Sequence, residues 1–273
     1  MADRVDTEPA AGAAGDDRDG PLLPPSIELA WGLRDRGKRG PKPGLTLERI
    51  VAAGIKVALT EGIAALSMAR VAGELGVGTM SLYRYVTAKD QLLALMVDTA
   101  LGTPPALDRA DEDWRAGLTR WAVGVRDAYR RHPWSLRVPI SAPPLGPNNV
   151  AWLEMALRAL GDAPLSEQDK LSCILLISGF VRNDATLTAD FAAGAAGAAA
   201  AGGVAGATDD SARPRYGTVL SHLINPVDFP ALHRAIASGA LDDDDDIDAE
   251  FNFGLGRILD GIDALIRAHA GRP

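Results

Sequence analysis

The chain has a single cysteine, Cys173, in 273 residues, so no disulfide can close within it. Cys173 lies in the apolar stretch 171–177, where it reads as a small buried hydrophobe. No apolar run reaches the roughly 18–20 residues of a membrane helix, so a membrane is not among the expected partners. The opening MADRVDTEPAAGAAGDDRDG lacks the basic-then-apolar order of a signal peptide, and a cytoplasmic protein is expected. The four histidines (132, 222, 233, 269) are scattered, none beside a carboxylate or second histidine at ligand spacing, so no metal site is expected. His-Glu-x-x-His, P-loop, Gly-x-Ser-x-Gly and dinucleotide motifs are missing too. GELGVG (73–78) has its glycines in the wrong order and between helices. Neither an enzyme nor a cofactor is therefore expected. Period-two alternation never lasts more than a few residues, which leaves an all-α fold.

What the chain does have is unevenly placed charge. The total is −8, yet residues 34–90 hold ten Lys/Arg against five Asp/Glu, a local +5 that leaves −13 elsewhere. A basic module on an acidic body is the footprint of a protein that faces nucleic acid. Arginine outnumbers lysine 23 to 5, and alanine and glycine are abundant, the composition of a GC-rich genome.

Residues 1–25 carry too few large apolar groups to offset the entropy of ordering and read as a disordered tail. Residues 26–45 form an arm. Its first part, 26–33, has Ile27, Leu29, Trp31 and Leu33 with which to dock. Its second part, RDRGKRGPKPG, spaces cations with Gly and Pro. Helical periodicity begins after Thr46, a candidate N-cap, with Leu47, Ile50, Val51, Gly54, Val57 and Ala58 on one face. Ser67 caps a second helix that stops at Gly76, and a short third spans 79–85. A capping box at 87–90 opens a fourth, whose stripe is Leu92, Leu93, Met96, Val97, Ala100 and Leu101. Gly-Thr-Pro-Pro (102–105) marks a boundary between domains 46–102 and 103–273.

In the second domain, helices are expected near 111–131, 148–160, 166–190, 213–223, 228–238 and 247–269. The Ala/Gly run 191–207 is expected to fray into a mobile loop, because each glycine costs about 1 kcal/mol against alanine in a helix. Five consecutive acids (242–246) read as a solvated loop or as a metal-binding cluster. The last helix is the most periodic, with Phe251, Leu255, Ile258, Leu259, Ile262, Leu265 and Ile266 in one stripe. Such a stripe must pack on the body or on a second copy.

Residues 67–85, SMARVAGELGVGTMSLYRY, contain the parts of a helix-turn-helix. Gly76 can adopt the left-handed conformation that ends the first helix, and Val77 can fill the angle between the two. Ala72 and Leu82 suit a close helix crossing. Thr79, Ser81, Tyr83 and Arg84 face outward with donors for phosphates and base edges.

These residues resemble the DNA-binding domain of the tetracycline-repressor (TetR) family over about 55 positions. The matching elements are AAGIKVALTEG, Ser-x-x-x-Val-Ala-x-x-Leu-Gly-Val, Ser-Leu-Tyr-x-Tyr-Val and Lys-Asp-x-Leu-Leu. Gly-Thr-Met-Ser-Leu-Tyr and Arg-His-Pro-Trp (131–134) are similar to the branch of actinomycete antibiotic-export repressors. The resemblance implies a repressor that binds a palindromic double-stranded DNA operator as a homodimer and is released by a small-molecule effector; an activator, or a ligand-independent DNA binder, is the alternative. It places Ser67, Arg70, Thr79, Met80, Ser81, Tyr83, Arg84 and Lys89 at the DNA. Ser67 can equally be only a cap, and Tyr85 can be core. Recognition helices that short would need a dimer, spaced by roughly 34–36 Å.

The arm resembles an AT-hook, in which Arg36, Lys38, Arg39 and Lys42 would enter the minor groove; a flexible basic linker is the plainer reading. In the body, Trp114, Trp121, Trp134 and Trp152 fall within 39 residues. With Met155 they suggest an aromatic-lined effector cavity, or simply core. Arg182, Asn183 and Asp184 bring polarity into an apolar helix, to orient a ligand or to meet a second copy.

Overall fold

The computed structural model describes residues 23–33, 44–105, 113–140, 143–200, 216–241 and 248–271. Among them there is helix and no strand. The first part of the fold follows local rules closely. The Thr46 hydroxyl accepts from the Arg49 N–H at 3.2 Å, and helix α2 (Leu47–Glu61) runs from it, a cap worth about 1 kcal/mol. Ser67 does the same for α3 (Met68–Leu75), which ends at Gly76 with φ 66°. That left-handed turn, from which the Val77 N–H reaches back to the Ala72 carbonyl, is where the chain needs a glycine.

Helix α4 (Thr79–Tyr83) and helix α5 (Lys89–Leu101) complete this unit. Ile50, Val57, Val71, Leu82, Leu92 and Met96 are buried at its centre, as their spacing predicts. Gly54 lets α5 approach closely, with the Met96 side chain lying where a Cβ would project. The box expected at 87–90 forms differently. Thr87 donates its N–H and its hydroxyl to Gln91 Oε1, one position further on, and Ala88 starts the helix without a side-chain cap.

Residues before Thr46 are also built in. Helix α1 (Pro25–Ala30) lays Ile27, Leu29 and Ala30 on the same core, and the fully buried Ser26 donates to Gln91 Oε1 at 3.2 Å. The Trp31 indole N–H donates to the Leu145 carbonyl at 2.8 Å. Most of the tail, the basic stretch 34–43 and the acids 242–246 lie outside the described residues.

The body begins with α6 (Trp114–Arg131), opened by Asp113, whose carboxylate accepts from the Ala116 N–H. A 3-10 turn (Pro133–Arg137), α7 (Pro147–Ala159) and α8 (Glu167–Ala200) follow, then α9 (Tyr216–Leu223), α10 (Pro230–Ala237) and α11 (Ala249–Ala270). Helices α6, α7, α8 and α11 enclose a second core of Leu118, Trp121, Trp152, Met155, Ile177, Phe251 and Leu255. The stripe of α11 is thereby spent within the chain: Phe251, Leu255, Leu259 and Ile262 are buried against the body. It is not the exposed surface that a second copy would cover.

Helix α8 corrects another expectation. It does not fray at 191 but continues through the Ala/Gly run to Ala200. Seven turns already formed upstream supply the nucleus, so alanines need only propagate it, and two glycines (194, 197) do not outweigh them. Residues 201–207 of that run are outside the described part.

Candidate nucleic-acid interface and effector-binding body

The residues expected at DNA fall on one surface formed by α3, α4 and the start of α5. Met80 is 77% exposed and Tyr83 40%. Arg84 and Lys89 are also exposed, and Thr79 and Ser81 are half-buried beside them. Leu82 is buried between these outward positions and fixes which face of α4 turns inward. The side chains of Arg84 and Lys89 have no hydrogen-bond or ion-pair partner among the described residues, so both can meet phosphate.

Ser67 and Arg70 have intramolecular work as well. The Ser67 oxygen is occupied as an acceptor, which leaves its O–H to donate outward. Arg70 is held more firmly. Its Nε donates to both Glu61 oxygens (3.0 and 3.1 Å), and its Nη2 reaches Glu61 at 2.5 Å and Glu74 at 3.1 Å. Lys56 donates to the other Glu74 oxygen at 2.5 Å. Hydrogen bonding to Arg70 holds the Glu61 carboxyl below its ordinary value, and Lys56 and then Arg70 do so for Glu74. A phosphate recruiting Arg70 must therefore compete with two carboxylates. Tyr85 is structural: its hydroxyl donates to the Leu45 carbonyl at 2.8 Å and ties the foot of the arm to α4.

The four body tryptophans do not gather around one cavity. Trp121 and Trp152 pack together in the second core, where the Trp121 indole donates to the Trp152 carbonyl and that of Trp152 to the Gly102 carbonyl, both at 2.8 Å. Met155 is buried with them and Trp114 lies half-buried at the edge. Trp134 belongs to the first core instead. Its indole nitrogen and His132 Nδ1 are buried without a partner among the described residues. An open hollow of about 700 Å³ runs along α6, lined by Arg115, Ala116, Thr119, Arg120, Val123 and Gly124. The edge of the Trp152 ring lies against Gly124, one of the residues that line that hollow.

The three consecutive polar residues of α8 point three ways, as a 100° step requires. Arg182 donates to the Leu136 and Val138 carbonyls (2.9 and 3.2 Å), pinning the 133–138 turn. Asp184 accepts from Arg126 at 2.7 Å. That guanidinium is buried, also bonded to Asp248, and lies 4.0 Å over the Phe251 ring. Asn183 is exposed on the outer face. Two residues sharing its face, Leu175 and Leu187, are 73% and 47% exposed.

Sequence reasoning missed Arg126, hidden in an arginine-rich helix, and the contacts of Asp98. Asp98 falls inside the apolar stripe of α5, and an acid at such a position is the signal that was available. Among the described residues no three His, Cys, Asp or Glu side chains gather as a metal would require. No described helix is long and apolar enough to cross a membrane.

A capped helix, a left-handed glycine turn and a short outward-facing helix on a small apolar core define a helix-turn-helix DNA-binding unit, joined here to a larger helical body. Residues 50–96 match the family model for bacterial regulatory proteins, tetR family. Residues 104–266 match the tetracyclin repressor-like C-terminal domain. The chain belongs to the TetR family of transcriptional regulators, a DNA-binding family and not an enzyme class. It is 38% identical over 257 residues to the HTH-type transcriptional repressor DrrR1 of Streptomyces coeruleorubidus, covering 90% of this chain and 87% of that one. It also resembles apo ActR from Streptomyces coelicolor, with 26% identity and a TM-score of 0.65 over 85% of this chain and 99% of that one. ActR in complex with actinorhodin matches similarly, with 27% identity and a TM-score of 0.63 over 84% and 99%.

Proposed function

We propose that this regulator is a cytoplasmic repressor that binds a palindromic operator as a homodimer and is released by a small hydrophobic effector, an antibiotic or related metabolite. Its target would be an export or biosynthesis gene for that compound. The observation that carries the reading is the likeness to a repressor over 90% of the chain, joined to an outward helix α4 followed by Arg84 and Lys89, whose side chains are unpaired among the described residues. In this reading residues 46–102 bind DNA and 103–273 bind effector and the second copy. Tyr83, Arg84 and Lys89 meet phosphates, Thr79, Met80 and Ser81 face the groove, and Ser67 and Arg70 contact DNA from α3. Arg36, Lys38, Arg39 and Lys42 extend the footprint into the minor groove.

The effector would enter the hollow along α6 and displace the Trp152 ring behind Gly124, reaching Trp121, Met155 and Trp114. Arg182 and Trp134 would respond through the 133–138 turn. The likeness to ActR, crystallised with actinorhodin, supports a ligand in this body. The outer face of α8 offers the dimer contact, with Leu175, Leu176, Asn183 and Leu187 around Gly179, which has open space above it. Release then works by linkage, because the effector shifts the dimer only as far as its affinity differs between spacings.

A gel shift on the gene's own upstream region, challenged with compounds exported or made by its neighbours, tests the whole reading. Binding to a palindrome that one such compound reverses is expected. Failure to bind any nearby palindrome overturns it.

A further inference from the structure

Asp98 is 4% exposed and lies on the last turns of α5, yet its side chain belongs to α7. Its Oδ1 accepts from the Asn149 N–H at 2.8 Å and from Asn149 Nδ2 at 2.6 Å. Its Oδ2 accepts from the Asn148 N–H at 3.3 Å and from Asn148 Nδ2 at 3.1 Å. The Asp98 carbonyl takes a further bond from Asn148 Nδ2. Helix α7 has no capping side chain of its own at Gly146. A carboxylate from the DNA-binding unit therefore caps a helix of the body and meets the positive end of its dipole.

Gly146 shows that the approach is built in. Its backbone (φ −69°, ψ 148°) is open to any residue. A Cβ there would collide with the Asp98 carboxylate, so glycine is required by the contact and not by the turn. Beyond the bolt, Trp152 of α7 sits in the second core, and Met96 of α5 sits under Gly54 in the first. Helix α7 thus reaches from the centre of one core to a fixed point on the helix that carries the other.

We propose that Asp98, seated through Gly146, is the positioning residue through which a shift of α7 is carried into the DNA-binding unit and sets the orientation of α4. This deepens the effector-released repressor reading and rests on it. Without the bolt, the units stay joined through Gly102, residues 103–105, Trp134 in the first core and the Trp31 bond to Leu145, and they should explore a wider range of angles.

The test places spin labels at Ala88→Cys and Ala268→Cys of one chain in a Cys173→Ala background, diluted with unlabelled chain. Electron–electron double resonance then reads the distance between the two units without DNA. Asp98→Asn removes the charge and half the acceptors, and Gly146→Ala wedges the contact apart while leaving the carboxylate. Both are expected to broaden the distance distribution and to weaken operator binding by roughly tenfold, a typical coupling between sites. A merely structural Asp98 would lower the melting temperature and leave the distances as in the parent. Folded variants with the parent's distance distribution overturn the proposal. If either variant does not fold, Asn148→Ala combined with Asn149→Ala, which removes both side-chain amide donors at half-buried positions and leaves the carboxylate, gives the same readout. Absence of operator binding by the parent chain would defeat the repressor reading, whereas the distances measured without DNA would still decide the bolt.

Discussion

The hydroxyls of Tyr83 and Tyr85, two residues apart, meet different surroundings. Tyr83 is exposed on the outward face of α4, while Tyr85 donates to the Leu45 carbonyl from a half-buried position. Tyr83→Phe should weaken binding of all DNA sequences about equally with the melting temperature unchanged, since a lost phosphate contact carries no base information. Tyr85→Phe should instead cost about 1 kcal/mol of stability by leaving a carbonyl unpaired. Parallel melts and operator titrations of the two variants separate these outcomes; a stability loss in Tyr83→Phe would place that ring in the fold and not at DNA. His132 makes a pH prediction at the same scale. Burial, and then the neighbouring Arg131, hold its imidazole below the ordinary value of 6.5. The unfolded chain therefore takes up a proton near pH 6.5 that the folded chain refuses, so stability is full above that pH and falls as pH drops below it. Melting temperatures between pH 7.5 and 5 should decline in the parent and decline less in His132→Gln. Carboxylates held low by arginine, such as Asp248, act in a separate window below about pH 4.

Among elements, those of the DNA-binding unit were legible because their signals are local. Thr46, Ser67 and Gly76 each act within four residues, and the apolar spacing of α2 identifies its buried face without knowledge of any partner. The capping box at 87–90 is replaced by a contact to Gln91, which also accepts from Ser26, 65 residues away in sequence. Distance in sequence likewise hid the roles of Arg126 and Asp98, whose partners lie on other helices. Periodicity showed that α11 buries a stripe, but not whether its own body or a second copy covers it; only the packing of Phe251 against Phe180 and Arg126 answers that. The tryptophans were misleading as a group for the same reason. Proximity along the chain placed Trp121 and Trp152 together, yet Trp134 turns into the other core.

At the scale of the molecule, the exposed apolar surface of α8 becomes the central quantity. With the α11 stripe consumed inside the chain, Leu175 and Leu176 remain 73% and 56% exposed on a helix whose opposite face is buried. Leaving such leucines in water forgoes roughly 1.5–3 kcal/mol each relative to full burial. Gly179, one turn further along the helix, would let a second helix approach closely, and a two-fold axis there would double every contact. Leu175→Glu introduces a charge that meets its own copy across that axis, and should shift the protein to monomer in sedimentation at micromolar concentration. Because Leu175 makes no core contact, the monomer should keep its helical content. Its operator affinity should collapse toward that of single-site, non-specific binding, since a helix as short as α4 gains specificity only when two copies are held one DNA turn apart. A Leu175→Glu protein that stays dimeric would move the interface off this face of α8. A monomer that still binds the palindrome at parental affinity would instead show that each copy reads its half-site alone.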